Sequence, residues 1–146
     1  MTRKKALWPW NLLVIVVTIG CLMVLLAHSR NWTTIKNDHF KMLSGFYYKH
    51  IMYADIDSVE MVERIPPMIR LQGFSAFSRE KGIFQEFQDS LTDKKISVYV
   101  DNINHHKIKL VYNDSVKLYF NFSDSLKTGG FYQFLQEKTD IGSKNP

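Results

Sequence analysis

The sequence predicts a mainly β domain closed by one C-terminal α-helix and preceded by a single apolar N-terminal helix. Three observations carry that prediction. Residues 12–27 pass without a charged side chain. Apolar and polar residues alternate with period two between residues 96 and 122, the pattern of half-buried strands. A capping residue and an apolar stripe then mark a helix near the C-terminus.

Arg3, Lys4 and Lys5 lead into Trp8-Pro9-Trp10 and the apolar run. Trp8 to Ala27 is 20 residues, about 30 Å of helix at about 1.5 Å per residue, which matches a bilayer core. A secretory signal shares the basic head but has an apolar stretch of about 7–15 residues and a small-residue cleavage site. Ala27 and Ser29 have that spacing. The longer stretch, the tryptophans at one border, and His28, Arg30 and Trp32 at the other favour an uncleaved anchor. Arg3, Lys4, Lys5 and the terminal amine outweigh the sparser Arg30, Lys36 and Lys41, which puts the N-terminus in the cytoplasm and the domain outside. The expectation is a single-pass protein of the inner (cytoplasmic) membrane, with the lipid bilayer as its first partner. Cys21 is the only cysteine and lies inside the run, so no disulfide can form in the rest of the chain.

The expected organisation is a cytoplasmic stub and anchor over 1–28, a polar tether over 29–38, one domain over 39–138 and a polar tail over 139–146. Three of the 19 basic residues precede the anchor, leaving 16 against all 14 acidic ones, a net +2. The basicity is therefore largely topogenic. No dense Lys/Arg cluster interleaves with aromatics, which argues against nucleic acid as a partner.

In chain order, residues 46–53 are aromatic-rich and strand-like, and His50 alternates with Phe46 and Tyr48, as a packed or hydrogen-bonded histidine would. Residues 58–63 carry Val59 and Met61 on one face. Pro66-Pro67 interrupts the pattern, which resumes over 68–74 and again over 82–87. Ile96, Val98 and Val100 alternate with Ser97 and Tyr99. Ile108, Leu110 and Tyr112 are joined by the turn residues Asn113-Asp114-Ser115 to Val116, Leu118, Phe120 and Phe122, a hairpin signal. Ser123 or Asp124 can cap the closing helix, whose stripe is Leu126, Phe131, Phe134 and Leu135. Gly129-Gly130 weakens it by about 1 kcal/mol per glycine relative to alanine, so the helix depends on packing.

Residues 51–59, Ile-Met-Tyr-Ala-Asp-Ile-Asp-Ser-Val, resemble the I-x-Y-x-D-I-x-S-V opening of the bacterial pleckstrin-homology (PH)-like domain family. Pro66, Arg70 and Gly73-Phe74 are similar to its P…R-x-x-G-F segment, and Lys81-Gly82-Ile83-Phe84 to its K-G-x-F turn. The strand at 96–100, then 118–122 with Asp124, Thr128 and Tyr132, resembles the family's closing strands and helix. The resemblance covers about residues 40–137 and departs at Gly129-Gly130. It implies a PH-like, seven-stranded, strongly bent β-sandwich or barrel plugged at one end by the helix, often membrane-tethered and sometimes oligomeric. Lipid binding by eukaryotic relatives does not transfer with the fold. Lys41 and Lys49 around Met42-Leu43-Ser44-Gly45 are a thin cation set for a multiply charged headgroup.

His105-His106 are adjacent on the chain, with no third ligand placed by spacing, and read as a polar loop beside Asn102 and Asn104. Asp55 and Asp57 could pair for acid–base work, but a turn before a strand accounts for them. No G-x-S-x-G, phosphate loop or dinucleotide fingerprint occurs. The reading is therefore no enzyme, no catalytic, metal or cofactor site, and no cofactor. Asn31, Asn113 and Asn121 open glycosylation sequons. Arg64, Ile65, Pro66, Pro67 and Met68 form the candidate partner-contact loop, since proline pre-orders backbone and lowers the entropy lost on binding; a plain connection between strands is the bland alternative. The expected function is a non-catalytic interaction or scaffolding domain on a membrane anchor, with a protein partner or a second copy of the chain. The alternative is a sensor that holds a small apolar or lipid ligand within or beside the sandwich, suggested by Phe40, Phe46, Tyr48, Phe120 and Phe122.

Overall fold

The computed structural model describes residues 8–87 and 95–143, the side chains of 27–28 and 141–143 excepted. Arg3, Lys4, Lys5 and residues 144–146 lie outside the described residues. Helix α1 spans Trp8–His28; Pro9 sits in its first turn, where a missing N–H leaves no bond unmade. The segment Trp8–Leu26 is long and apolar enough to cross a membrane, and none of it is buried against the rest of the chain. A signal sequence has the same character.

Nine strands follow among the described residues, two more than the resemblance implied: β1 Asn31–Ile35, β2 His39–Ser44, β3 Tyr47–Met52, β4 Ile56–Val62, β5 Met68–Ala76, β6 Arg79–Glu86, β7 Ile96–Val100, β8 Lys107–Tyr112 and β9 Val116–Asn121. Strands β1-β2-β3 make one antiparallel sheet. The other six are ordered β4-β8-β9-β7-β6-β5, with β7 and β9 parallel and every other neighbour antiparallel. The β8–β9 hairpin falls where the alternation placed it. Asn113 and Asp114 adopt positive φ there, a conformation Asn and Asp tolerate better than other non-glycine residues. Asp57 Oδ2 accepts the Asp114 N–H at 3.0 Å and Asp55 O accepts that of Asn113 at 3.0 Å, so these two aspartates hold a turn.

One face of the six-stranded sheet presents Tyr99, Ile108, Leu110, Tyr112, Leu118 and Phe120 to β2 and β3 and to helix α2, Ser125–Ser143. Phe131 of α2 centres this interior. Its ring meets Phe40 at 5.4 Å, Phe122 at 5.6 Å and Phe120 at 5.9 Å, all edge-on, the geometry that aromatic quadrupoles favour. Asp124 is the cap: its Oδ1 accepts the Leu126 N–H at 2.9 Å. Thr128 Oγ1 accepts the Phe122 N–H and donates to Asp124 O, each at 3.0 Å, which fixes how the helix leaves β9.

Four expectations change. The stretch read as a tether contains β1, and Asn31 within it is buried. On β3 the half-buried and buried side chains are Tyr47, Lys49 and Ile51, while Tyr48 and His50, and Phe46 in the turn before them, are exposed; aromatic residues occupy both phases of 46–48, so period two alone does not choose between them. Leu126 is 84% exposed, because five residues carry it well around the helix from Phe131, whereas Thr128, Phe131 and Leu135 share one face. Helix α2 runs on through Ser143, with Thr139 Oγ1 bonded to Leu135 O, where a fraying tail was expected.

A buried polar knot ties β1 to the large sheet. Lys81 of β6 has no exposed surface and pairs with Asp101 at 2.8 Å. Its Nζ also donates to Asn31 Oδ1 at 3.0 Å. Asn31 in turn donates its backbone N–H to Asp101 Oδ2 and its side-chain amide to Tyr99 O and Asn121 O. Burial pushes the Lys81 ammonium down from its ordinary value, and Asp101 opposes that shift. Asn31 and Asn121 are 4% and 0% exposed, so neither sequon is presented by the folded domain.

Candidate functional site

The other face of the six-stranded sheet is covered by much less. Strands β4 and β5 are its two edges, yet only residues 63–67 connect them. Five strand spacings of about 4.8 Å make a flat sheet of this order about 24 Å across, while six Cα steps reach at most about 21 Å. The chain must also descend along the strands, since Val62 pairs with Lys107 near one end and Met68 with Glu86 near the other. The sheet therefore curls until its edges approach, and the connection bridges the hollow.

Pro66-Pro67 keeps this bridge extended and restricts Ile65 before it to extended backbone. Ile65 and Met68 tuck against Phe84, Ile96, Val98, Val100 and Tyr119. An open groove of about 530 Å³ remains beneath, lined by all five residues of the candidate loop, Arg64, Ile65, Pro66, Pro67 and Met68. Glu80 and Phe84 of β6, Val98 of β7, and Ile103, Asn104 and Lys107 complete it.

The groove's polar groups are held in place. Lys107 is 2% exposed, and its Nζ donates to Glu63 O and Ile103 O. It thus joins the start of the bridge to the β7–β8 loop. Burial pushes its ammonium down from the ordinary lysine value, with Arg64 acting the same way and Glu63 and Glu80 opposing. Glu80 Oε1 accepts from Ser75 Oγ, which accepts from Arg70 Nη1. Arg64, the buried Lys107, the Glu80 carboxylate and an apolar wall thus line the groove. No side chain among the lining residues is a hydroxyl, thiol or imidazole that could act as nucleophile or base in the neutral range.

Sequence reading selected the loop but not its floor. The available signal was weak: β7 is buried at all five residues, Ser97 and Tyr99 as well as Ile96, Val98 and Val100, as a strand covered on both faces is. His105-His106 lies in the loop after β7, outside the groove's lining. Among the described residues, no three His, Cys, Asp or Glu side chains converge as metal ligands. Comparison with protein families, curated proteins and solved structures finds no match to this chain.

Proposed function

We propose that this chain is a non-catalytic, single-pass membrane protein of PH-like architecture, which uses the 64–68 groove to hold an extended segment of a partner protein. The observation that carries this reading is the groove itself. The five residues whose proline content suggested a pre-ordered contact surface all line it, on the face of the sheet that no other element covers among the described residues. The apolar anchor puts this surface beside a bilayer, with the N-terminus inside and the domain outside the inner membrane. A ligand within the sandwich has less to support it, because Phe40, Phe120 and Phe122 are packed around Phe131. A small apolar ligand would have to use the same groove.

The test is site-specific photocrosslinking from Pro67 of the full chain in native membranes. A discrete protein adduct is expected, lost when Arg64→Glu is added and retained with Asn37→Ala at a distant turn. Adducts that ignore Arg64→Glu, or adducts to lipid alone, overturn the reading.

A further inference from the structure

The chain leaves α1 at His28 and enters the buried knot at Asn31 three steps later. Three Cα steps cover at most about 11 Å, so the end of the domain that holds Asn31 lies within that distance of the end of α1. Strand directions show what else reaches this end. Ser44 pairs with Asn31, so the β2–β3 turn carrying Phe46 projects past it. Glu80 pairs with Val100, which sends the β5–β6 turn carrying Phe77 past Asp101, and Ser78 O accepts the Ile103 N–H of the neighbouring β7–β8 loop. Strand β9 runs parallel to β7 and delivers Leu126 to the same end.

Each of these four connections exposes a large apolar side chain. Phe46 is 91% exposed, Phe77 fully so and Leu126 84%, with Ile103 also exposed and Trp32 beside them on β1. The cations Arg30 and Lys127 are exposed at this end, as are the carboxylates of Glu63 and Asp124. At the opposite end Ile35, Met52 and Phe87 are exposed, but the three described turns there carry Asp38, Asp55 and Asp114. Isolated exposed apolar residues are ordinary; one on each of four connections at the anchored end, the β4–β5 bridge with its exposed Glu63 being the fifth, is a concentration.

We propose that this end is a membrane-seating surface, in which Trp32, Phe46, Phe77 and Leu126 enter the interfacial layer of the same bilayer that α1 spans. Aromatic and aliphatic side chains flanked by Arg and Lys are the composition that partitions there. The polar headgroup layer extends only about 5–8 Å beyond the hydrocarbon, which the short link to Asn31 spans. The inference rests on the anchor reading above and would dock the domain upright, with the far turns in water.

The test uses the full chain in vesicles of phosphatidylcholine and phosphatidylglycerol. Nitroxide labels are placed singly on Cys21, and, in a Cys21→Ser background, on Phe46→Cys, Phe77→Cys, Leu126→Cys and the far-end control Asn37→Cys. Collision with dissolved oxygen relative to a water-soluble nickel chelate reads depth. Oxygen preference should be highest at Cys21 and several-fold above Asn37 at the three rim positions. An aqueous Cys21 label overturns the anchor itself. An immersed Cys21 with rim labels as aqueous as Asn37 overturns the seating surface alone. Rim labels that show dipolar broadening removed by dilution with unlabelled chain assign the surface to a second copy and overturn the proposal too. Because the substituted side chains are exposed and the positions independent, one misfolded variant leaves the other two to decide.

Discussion

The two faces of the six-stranded sheet share the same backbone but are covered by different material. One carries the interlocked rings of Phe40, Phe120, Phe122 and Phe131 under a second sheet and a helix. The other has, among the described residues, only the 64–68 bridge, with Ile65 and Met68 pressed into the hollow and a groove left open beneath. A sealed face can supply rigidity because every lost atom leaves a cavity. An open face cannot, but it offers apolar area and fixed charges to something outside the chain.

Truncation should separate them most sharply. With the full chain in detergent micelles, Phe131→Ala is expected to lower unfolding stability by about 3–5 kcal/mol, the range for a large ring removed from a core. Ile65→Ala should cost only about 1–2 kcal/mol, since its burial is partial and solvent can occupy the space. Equal losses in denaturant titrations would erase the distinction.

Alkaline pH gives a finer comparison. Burial pushes both Tyr99, on the sealed face, and Tyr119, on the grooved face, up to about 12. An unfolded phenol loses its proton near about 10. Between those values the folded chain keeps protons that the unfolded chain has released, so stability falls as pH rises through the window. Tyr99→Phe and Tyr119→Phe should each flatten that decline in denaturation midpoints taken across the window. Glu86 and Glu60 add to burial at Tyr119, so removing Glu86 should shrink the Tyr119 contribution and leave that of Tyr99 unchanged.

The smallest effect belongs to the helix over the sealed face. A methyl group added at Gly129 or Gly130 meets no neighbour within 4 Å. Gly129→Ala and Gly130→Ala should therefore each raise stability by up to about 1 kcal/mol through helix propensity alone. A decrease in the melting midpoint would point to a close approach at that surface.

How much of this could be read beforehand follows from where the information lies. The β8–β9 hairpin and the Asp124 cap were legible because alternation, turn residues and capping chemistry are local. The 64–68 loop was legible because two prolines announce a pre-ordered connection. Strand β1 was not, since Asn31-Trp32-Thr33 reads as polar until Asp101, 70 residues on, accepts its backbone hydrogen bond. The burial of Lys81 was hidden for the same reason: its partners are 20 and 50 residues away. The β3 phase failed on ambiguity, with Phe46, Tyr47 and Tyr48 in a row. The floor of the groove exists only once the sheet has curled.

The Asn31–Lys81–Asp101 knot has a mechanical consequence. A flexible leash would let the domain swivel and would absorb any tug before the fold felt it. Here load applied along the first helix reaches Asn31 after two residues and is handed directly to β6 and the ends of β7 and β9. Strand β1 is then pulled lengthwise against β2, so its cross-strand bonds share the strain together instead of opening one at a time. Drag on the first helix is transmitted to the centre of the sheet, and movement of the domain is felt at the helix in turn.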